Sequence, residues 1–396
     1  MSTISTRIAA ELRGDRVIWA IIVLLCLISI LAVYSSTSSL AYENRGGNTE
    51  SYLFKHVIIM GAGLVIVYFC HIYHYVNFSR WAPTLLFISV IALLYTLVLG
   101  TDINEAKRWI SIPYVGITFQ TSDLAKLSLI LYVARSIGSK QDYIKDWQNA
   151  FVPIIFPILL VCFLVAPADL SSALVIFLIC MLMMIIGRVA LKYIGALLVL
   201  GVMLFALLLL IGRNQPGLVP RAETWEKRIS TFFNPDLATS DDVYQIQAAK
   251  LAMANGGIIG VGPGNSTQRH YLPSPYADFI YAIIVEEYGV VGGWAVIGLY
   301  VLLFFRVTRL ITNSPKAFGA MVALGLSLSL VVQAFINIGV VTDLLPTTGL
   351  TLPMVSMGGT SLLFTCIAFG IILSVSKYIE TVSRSTRGGD LETDDL

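Results

Sequence analysis

The sequence predicts an all-α, polytopic membrane protein of about ten transmembrane helices, with one large extracytoplasmic loop between helices seven and eight. Three observations carry that expectation. Hydrophobic residues make up 57% of the 396, charged residues only 13%, and the mean hydropathy is +0.80, a balance foreign to soluble chains of this length. Apolar stretches of about 20 residues, enough to cross the hydrocarbon as a helix, recur along nearly the whole chain. The basic residues are scattered among short loops, so the net charge of +2 gives no reason to expect nucleic acid as a partner.

Residues 1–16 hold Arg7, Arg13 and Arg16 and precede the first apolar run, Val17 to Tyr34. That run is too long for a signal-peptide core and lacks a small-residue cleavage site, so it reads as the first span. Further spans are expected at about 57–73, 82–99, 121–138, 149–166, 170–187, 190–212, 279–305, 317–341 and 357–377. One membrane domain, 17–378, thus lies between a cytoplasmic N-terminus and a cytoplasmic tail, 379–396, whose acidic end from Gly388 to Leu396 is expected to be disordered. Cys26, Cys70, Cys162, Cys180 and Cys366 all fall in apolar stretches, without metal-ligand or disulfide spacing, and read as packing residues.

An even number of spans puts both termini on one side. About fifteen of the 26 Lys and Arg residues fall on that side, against Arg45, Lys55, Lys107 and Arg108 in the short loops opposite, so both termini are expected in the cytoplasm. The long loop, 213–277, then lies outside. Its length and its polar, Gly- and Pro-rich composition mark it as functional.

Charges within or at the mouth of apolar spans are costly and therefore candidates for function. Asp123 and Lys126, three apart in QTSDLAKLSL, share a helix face, as a structural ion pair or as substrate ligands. Asp169 opens the sixth span, as N-cap or as reactive group. Glu286 and Glu287 lie two turns into the eighth span, about 100° apart, so at most one faces a given site. Asp278 sits at the outer mouth of that span, where local sequence alone favours an N-cap. The stretch ANGGIIGVGPGNSTQRHYLP offers Gly256, Gly257, Gly260, Gly262 and Gly264 as an anion nest or as a tight structural turn.

These motifs, in order, resemble the shape, elongation, division and sporulation (SEDS) family of FtsW, RodA and SpoVE. AKRWISIPYVGITFQTSDLAKLSL is similar to the family's Ala-Arg-Arg-Trp segment and the Gln-Pro-Ser-Glu and Ala-Lys run after it: Arg108, Trp109, Gln120 and Lys126 match, while Lys107 stands for Arg, Thr121 for Pro and Asp123 for Glu. RISTFFNPD and VYQIQAAKLAMANGGIIGVGPGNSTQ resemble the outer loop, and Gly264, Asn265 and Ser266 side with the FtsW branch. LPSPYADFIYAIIVEEYG resembles the signature with an Asp before Phe-Ile, with Tyr276 and Ala277 in place of His-Thr; TTGLTLPMVSMGGTSLL resembles the late Pro and Ser-Tyr-Gly-Gly-Ser stretch, with Met357 for Tyr.

The resemblance implies a peptidoglycan glycosyltransferase of the bacterial inner membrane that polymerises lipid II on its outer face, during septum formation. In that reaction the acceptor's 4-hydroxyl attacks C1 of the donor sugar and undecaprenyl pyrophosphate leaves with inversion. It implies that Asp278 is the catalytic carboxylate, that Lys107, Arg108, Arg269, Asn265, Ser266 and Glu286 serve substrate binding, and that Asp123, Lys126 and Asp169 shape the cavity. It further implies a divalent cation, Mg2+ or Mn2+, with no ligands named and no organic cofactor. The partners implied are a class B penicillin-binding protein, an FtsI-like transpeptidase, and other divisome membrane proteins. Two rivals remain: a lipid II flippase, which would need a polar path through the bilayer, and a non-enzymatic scaffold.

Overall fold

A computed structural model describes residues 14–37, 49–103, 106–112, 117–214, 222–233, 240–272, 274–312 and 314–393. The chain runs α1 (Arg16–Ser36), α2 (Thr49–Ile72) and α3 (Tyr75–Leu99) into three short strands, β1 (Thr101–Ile103), β2 (Ala106–Ile112) and β3 (Ile117–Gln120). Then follow α4 (Thr121–Ser139), α5 (Val152–Val165) behind a π-turn at Trp147–Phe151, α6 (Leu170–Ile186), α7 (Leu191–Asn214), α8 (Ala222–Phe233) and α9 (Ser240–Gly256). The long helices α10 (Ile280–Ile311), α11 (Ala317–Val341) and α12 (Thr360–Thr393) complete the fold.

Each of the ten expected spans falls on one helix, α1 to α7 and α10 to α12. Among the described residues, seven helices are long and apolar enough to cross a membrane: α1, α2, α3, α5 with its π-turn, α10, α11 and α12. α6 and the described apolar part of α7, Leu191–Leu207, are shorter. The remaining one, α4, carries Asp123, Lys126, Arg135 and four serines yet buries thirteen of its nineteen residues, because α3, α5, α6 and α11 surround it. A polar helix is tolerable at the centre of a bundle, where protein rather than lipid meets its side chains.

Three features depart from the sequence reading. The span 82–99 gives way to a three-stranded antiparallel sheet of order β1-β2-β3, with Trp109 opposite Gln120 and Ile112 opposite Ile117. The long outer loop contains two helices. α8 buries Trp225 and keeps Ile229 and Phe232 half-buried at helical spacing, and α9 turns Ala248, Ala249 and Ala252 inward against α10, where their small side chains permit close approach. The acidic end expected to be disordered is helical in α12 as far as Thr393.

α10 antiparallels α1. At one end Ser35 bonds Glu287, and at the other Asp15 bonds Arg306. α10 is not continuous: Gly289 takes φ 70°, ψ −174°, which breaks the helix two turns from its start. Into that break packs the glycine-rich loop.

Candidate functional site

The site is built at the loop end of the bundle around the turn Tyr276-Ala277-Asp278. Asp278 is half-buried, two residues before the first turn of α10, and the turn is clamped from behind. Asn337 of α11 donates its Nδ2 to the backbone carbonyl of Asp278 (2.8 Å) and to that of Leu350 (2.7 Å). Ser356 donates its hydroxyl to the Ala277 carbonyl (2.6 Å) and accepts the Leu352 amide (2.9 Å), while the Met357 amide donates to the Tyr276 carbonyl (2.9 Å). The loop between α11 and α12 is itself held from inside the bundle, by Ser29 on the Val355 carbonyl (2.7 Å) and by the Tyr300 hydroxyl on that of Pro353. These bonds fix the backbone that carries Asp278. The local N-cap reading does not hold, since the residue before α10 is Phe279 and has no capping side chain.

One helical turn before Asn337, Gln333 donates to the Thr351 carbonyl (3.0 Å) and accepts from Lys126 Nζ (2.8 Å), which lies 3.2 Å from Asp123 Oδ1. Polar groups therefore run down the bundle from the Asp278 backbone through Asn337, Gln333 and Lys126 to Asp123, the two amides holding the adjacent carbonyls of Leu350 and Thr351 rather than each other. Asp123 Oδ2 is buried with no hydrogen-bond partner among the described residues, and Asp123, Lys126 and Gln333 share a cleft with Ser329, Ser361 and Thr365. The i,i+3 pairing expected from sequence is formed. Gln333 and Asn337 are uncharged and so do not stand out among the intramembrane charges; two amide side chains four apart in an apolar span are their signal in the sequence.

The glycine-rich loop does something different from an open nest. A Cβ at Gly260 would stand 2.2 Å from the Glu287 carbonyl oxygen, one at Gly256 2.1 Å from that of Val285, and one at Gly289 2.1 Å from that of Ile258. The glycines are needed for contact between two backbones. Val261 and Gly262 donate their amides to the Glu286 and Glu287 carbonyls (3.0 Å each), and Val290 donates to Gly257 (2.9 Å), so the loop pairs with the broken stretch of α10. The anions it holds are the protein's own. Glu286, 0% exposed, accepts from the Ser266 hydroxyl, the Thr267 amide (3.2 Å) and hydroxyl (3.1 Å) and the Gln268 amide (3.3 Å). Glu287, 2% exposed, accepts from Ser35 and lies beside the backbone amides of Gly264 and Ser266.

Glu286 and Ser266, expected among the substrate ligands, are buried and bonded to each other, and in this structure they fasten the loop. Arg269, in the same group, is half-buried: its Nη1 donates to the Gly264 carbonyl (2.9 Å) and to Ser35 (3.3 Å to Oγ), tying the loop to the end of α1 beside Glu287. Asn265 is exposed and donates to the Val261 carbonyl (3.1 Å). Asp169 caps α6 through the Ser172 amide (3.1 Å) and hydroxyl (2.8 Å). Lys107 and Arg108 lie on β2; their side chains are outside the described residues. The sheet itself reaches the site end of the bundle, because Thr360 at the start of α12 donates to the Thr118 carbonyl (3.2 Å) and Phe119 packs on Phe364. Among the described residues, no three His, Cys, Asp or Glu side chains group as a metal site.

Comparison with known proteins follows the same lines. Residues 15–381 match the family model FtsW/RodA/SpoVE, described as cell cycle protein. The chain is 31% identical to stage V sporulation protein E of Bacillus subtilis, over 92% of this chain and 97% of that one. It is 34% identical to the probable peptidoglycan glycosyltransferase FtsW of Trichlorobacter lovleyi, over 91% and 93%. A solved chain from a study of how a peptidoglycan synthase complex coordinates polymerisation and crosslinking superposes with a TM-score of 0.73 at 24% identity, over 92% of this chain and 98% of that one.

Proposed function

The chain belongs to the FtsW/RodA/SpoVE family of cell cycle proteins, and from that membership we propose that it is a peptidoglycan glycosyltransferase that polymerises lipid II with Asp278 as general base. The observation that carries the assignment of Asp278 is the clamp on its backbone: Asn337, Ser356 and Met357 hold the turn, while Asp278 stays half-exposed at the end of the bundle that bears the large loop. A base must be fixed within hydrogen-bond reach of the proton it takes and yet open to substrate. A single displacement with inversion requires such a base, by the logic that governs inverting glycosidases.

In the proposed step the acceptor's 4-hydroxyl gives its proton to the Asp278 carboxylate as its oxygen forms a bond to C1 of the donor. The bond from C1 to the pyrophosphate oxygen breaks, and undecaprenyl pyrophosphate departs. Arg108 and Lys107 are the cations assigned to the leaving phosphates, since charge developing there is best stabilised by groups already in place. Arg269, engaged with Gly264 and Ser35, orders the loop beside the site. Among the described residues no three His, Cys, Asp or Glu side chains make a coordination shell for the divalent cation that the resemblance implies, and each step here is written through the chain's own groups.

The reaction is assigned to the outer face of the bacterial inner membrane, with both termini cytoplasmic, and to septum formation, with a class B penicillin-binding protein as partner and other divisome membrane proteins nearby. Support for the partner comes from the structural neighbour, whose complex joins polymerisation to crosslinking. A cysteine replacing Ile259, 83% exposed on the glycine-rich loop, tests the topology: it should react with an impermeant maleimide in intact spheroplasts, and labelling only after lysis would reverse the orientation. The function is tested by incubating the purified chain and its partner with labelled lipid II. Glycan strands are expected; transfer of lipid II across vesicles without strands would make the protein a flippase.

A further inference from the structure

At the end of α4 and α11 far from Asp278, two cavities open between helices, and they differ in charge balance. The larger, about 510 Å3, is lined by Arg16, Arg306 and Arg309 but brings its own counter-charges: Asp15 bonds Arg306, and Glu380 accepts the Gly14 amide (2.9 Å). The second, about 390 Å3, lies between the start of α3, the end of α4 and the start of α11. Arg80, Arg135 and Lys316 line it, and among its described lining residues there is no carboxylate. Three cations around one cavity repel each other unless an anion joins them, and nothing in the described protein supplies it.

The cavity is shaped, not merely charged. Arg135 donates Nη1 to the Ser79 carbonyl (2.6 Å), which pins its guanidinium at the wall, and Lys316 Nζ stands 6.0 Å from the ring centroid of Tyr378. At Gly138 a Cβ would lie 3.0 Å from the Phe318 amide nitrogen, so the end of α4 meets the start of α11 backbone to backbone. Ala317 and Phe318 bring the first turn of the 25-residue α11 to the cavity, with no side chain capping it, and its positive end adds to the three cations. The level of this cavity in the bilayer is marked independently. Tyr73 and Trp81 by the start of α3, joined by a 3.3 Å hydrogen bond, and Tyr143 and Trp147 beyond the end of α4 are all exposed. Amphipathic aromatic rings gather where headgroups meet hydrocarbon.

We propose that this cavity binds the phosphate of an anionic phospholipid headgroup, with Arg80, Arg135 and Lys316 as its ligands and the neighbouring apolar face of α3 against the acyl chains. Basic pockets between transmembrane helices are suited to such headgroups, and cations near a charged membrane surface contribute individually. The site is separate from the Asp278 turn and does not depend on the reaction catalysed there.

The test uses the full chain in phosphatidylcholine nanodiscs with increasing phosphatidylglycerol, read by thermal stability and, after release, by native mass spectrometry of retained lipid. Phosphatidylglycerol should raise the melting temperature and be retained. The double variant Arg80→Gln, Lys316→Gln removes two exposed, mutually repelling cations and should melt no lower than the parent in pure phosphatidylcholine while binding phosphatidylglycerol roughly thirtyfold more weakly. Arg309→Gln, in the self-neutralised cavity, should keep the full response. Inorganic phosphate is the competing source: if it stabilises the parent as well as phosphatidylglycerol does and displaces it, the ligand is free phosphate and the lipid assignment fails. An equal phosphatidylglycerol response in parent and double variant, or an equal loss in Arg309→Gln, overturns the site.

Discussion

Two sets of carboxylates lie within ten residues of each other at one end of this bundle, and the protein treats them oppositely. Glu286 and Glu287 are sealed inside, their oxygens met by Ser266, Thr267, Gln268 and Ser35. Asp278 is half-exposed, and the neighbouring elements grip its backbone. Burying a carboxylate is costly unless hydrogen bonds replace water, so the glutamates show what a structural acid requires. A carboxylate whose backbone is immobilised and which remains open has the opposite design. Sequence proximity and shared charge thus say little about role; burial says much more.

Asp123 sits between these extremes, and the largest expected effect concerns its partner. Lys126→Ala takes the partner from Oδ1 of the buried Asp123, whose Oδ2 has none among the described residues, at a cost of about 3 to 5 kcal/mol, so folded yield and activity should fall together. Exchanging the two residues should recover part of the yield. Unchanged thermal stability with lost lipid II binding would instead make Lys126 a substrate ligand. Next is Glu286→Ala, which strips the acceptor from four donors. With two or more of them left buried and unpaired at about 1 to 3 kcal/mol each, a loss of about 3 kcal/mol in stability is expected by thermal unfolding. Loss of polymerisation with full stability would move Glu286 back among the substrate residues and erase the contrast. Gly289→Ala sharpens it from the backbone side: a positive φ and a Cβ 2.1 Å from the Ile258 carbonyl oxygen should cost at least about 1 to 3 kcal/mol and loosen the loop from α10, seen as faster amide exchange at Val261 and Gly262.

Much of the bundle was legible because lipid imposes a simple rule on sequence. Apolar runs near 20 residues marked where α1 to α7 and α10 to α12 lie, though α2 and α3 begin seven or eight residues earlier and α12 runs sixteen residues further than the runs do, and i,i+3 spacing brought out the Asp123–Lys126 pair. What escaped had weaker local signals. β1 to β3 are short and follow an apolar run without a clear alternation, and α8 and α9 lie in a polar loop where Trp225, Ile229 and Phe232 carry the inward face of α8 and the small alanines Ala248, Ala249 and Ala252 that of α9. Gly256 and Gly260 read from sequence as an anion nest or as a tight turn, since close approach of two distant segments leaves no periodic trace. Asn337 and Ser356, which hold the Asp278 turn, are 59 and 79 residues or so away in sequence from what they bind. Only the fold joins them.

The most direct test of the account is Asp278→Asn, which keeps the shape of the side chain and removes the base. With lipid II and the partner transpeptidase, glycan polymerisation should fall at least about 100-fold, while thermal stability and lipid II binding stay at the level of the parent. A folded Asp278→Asn protein that makes strands at a near-normal rate would contradict it.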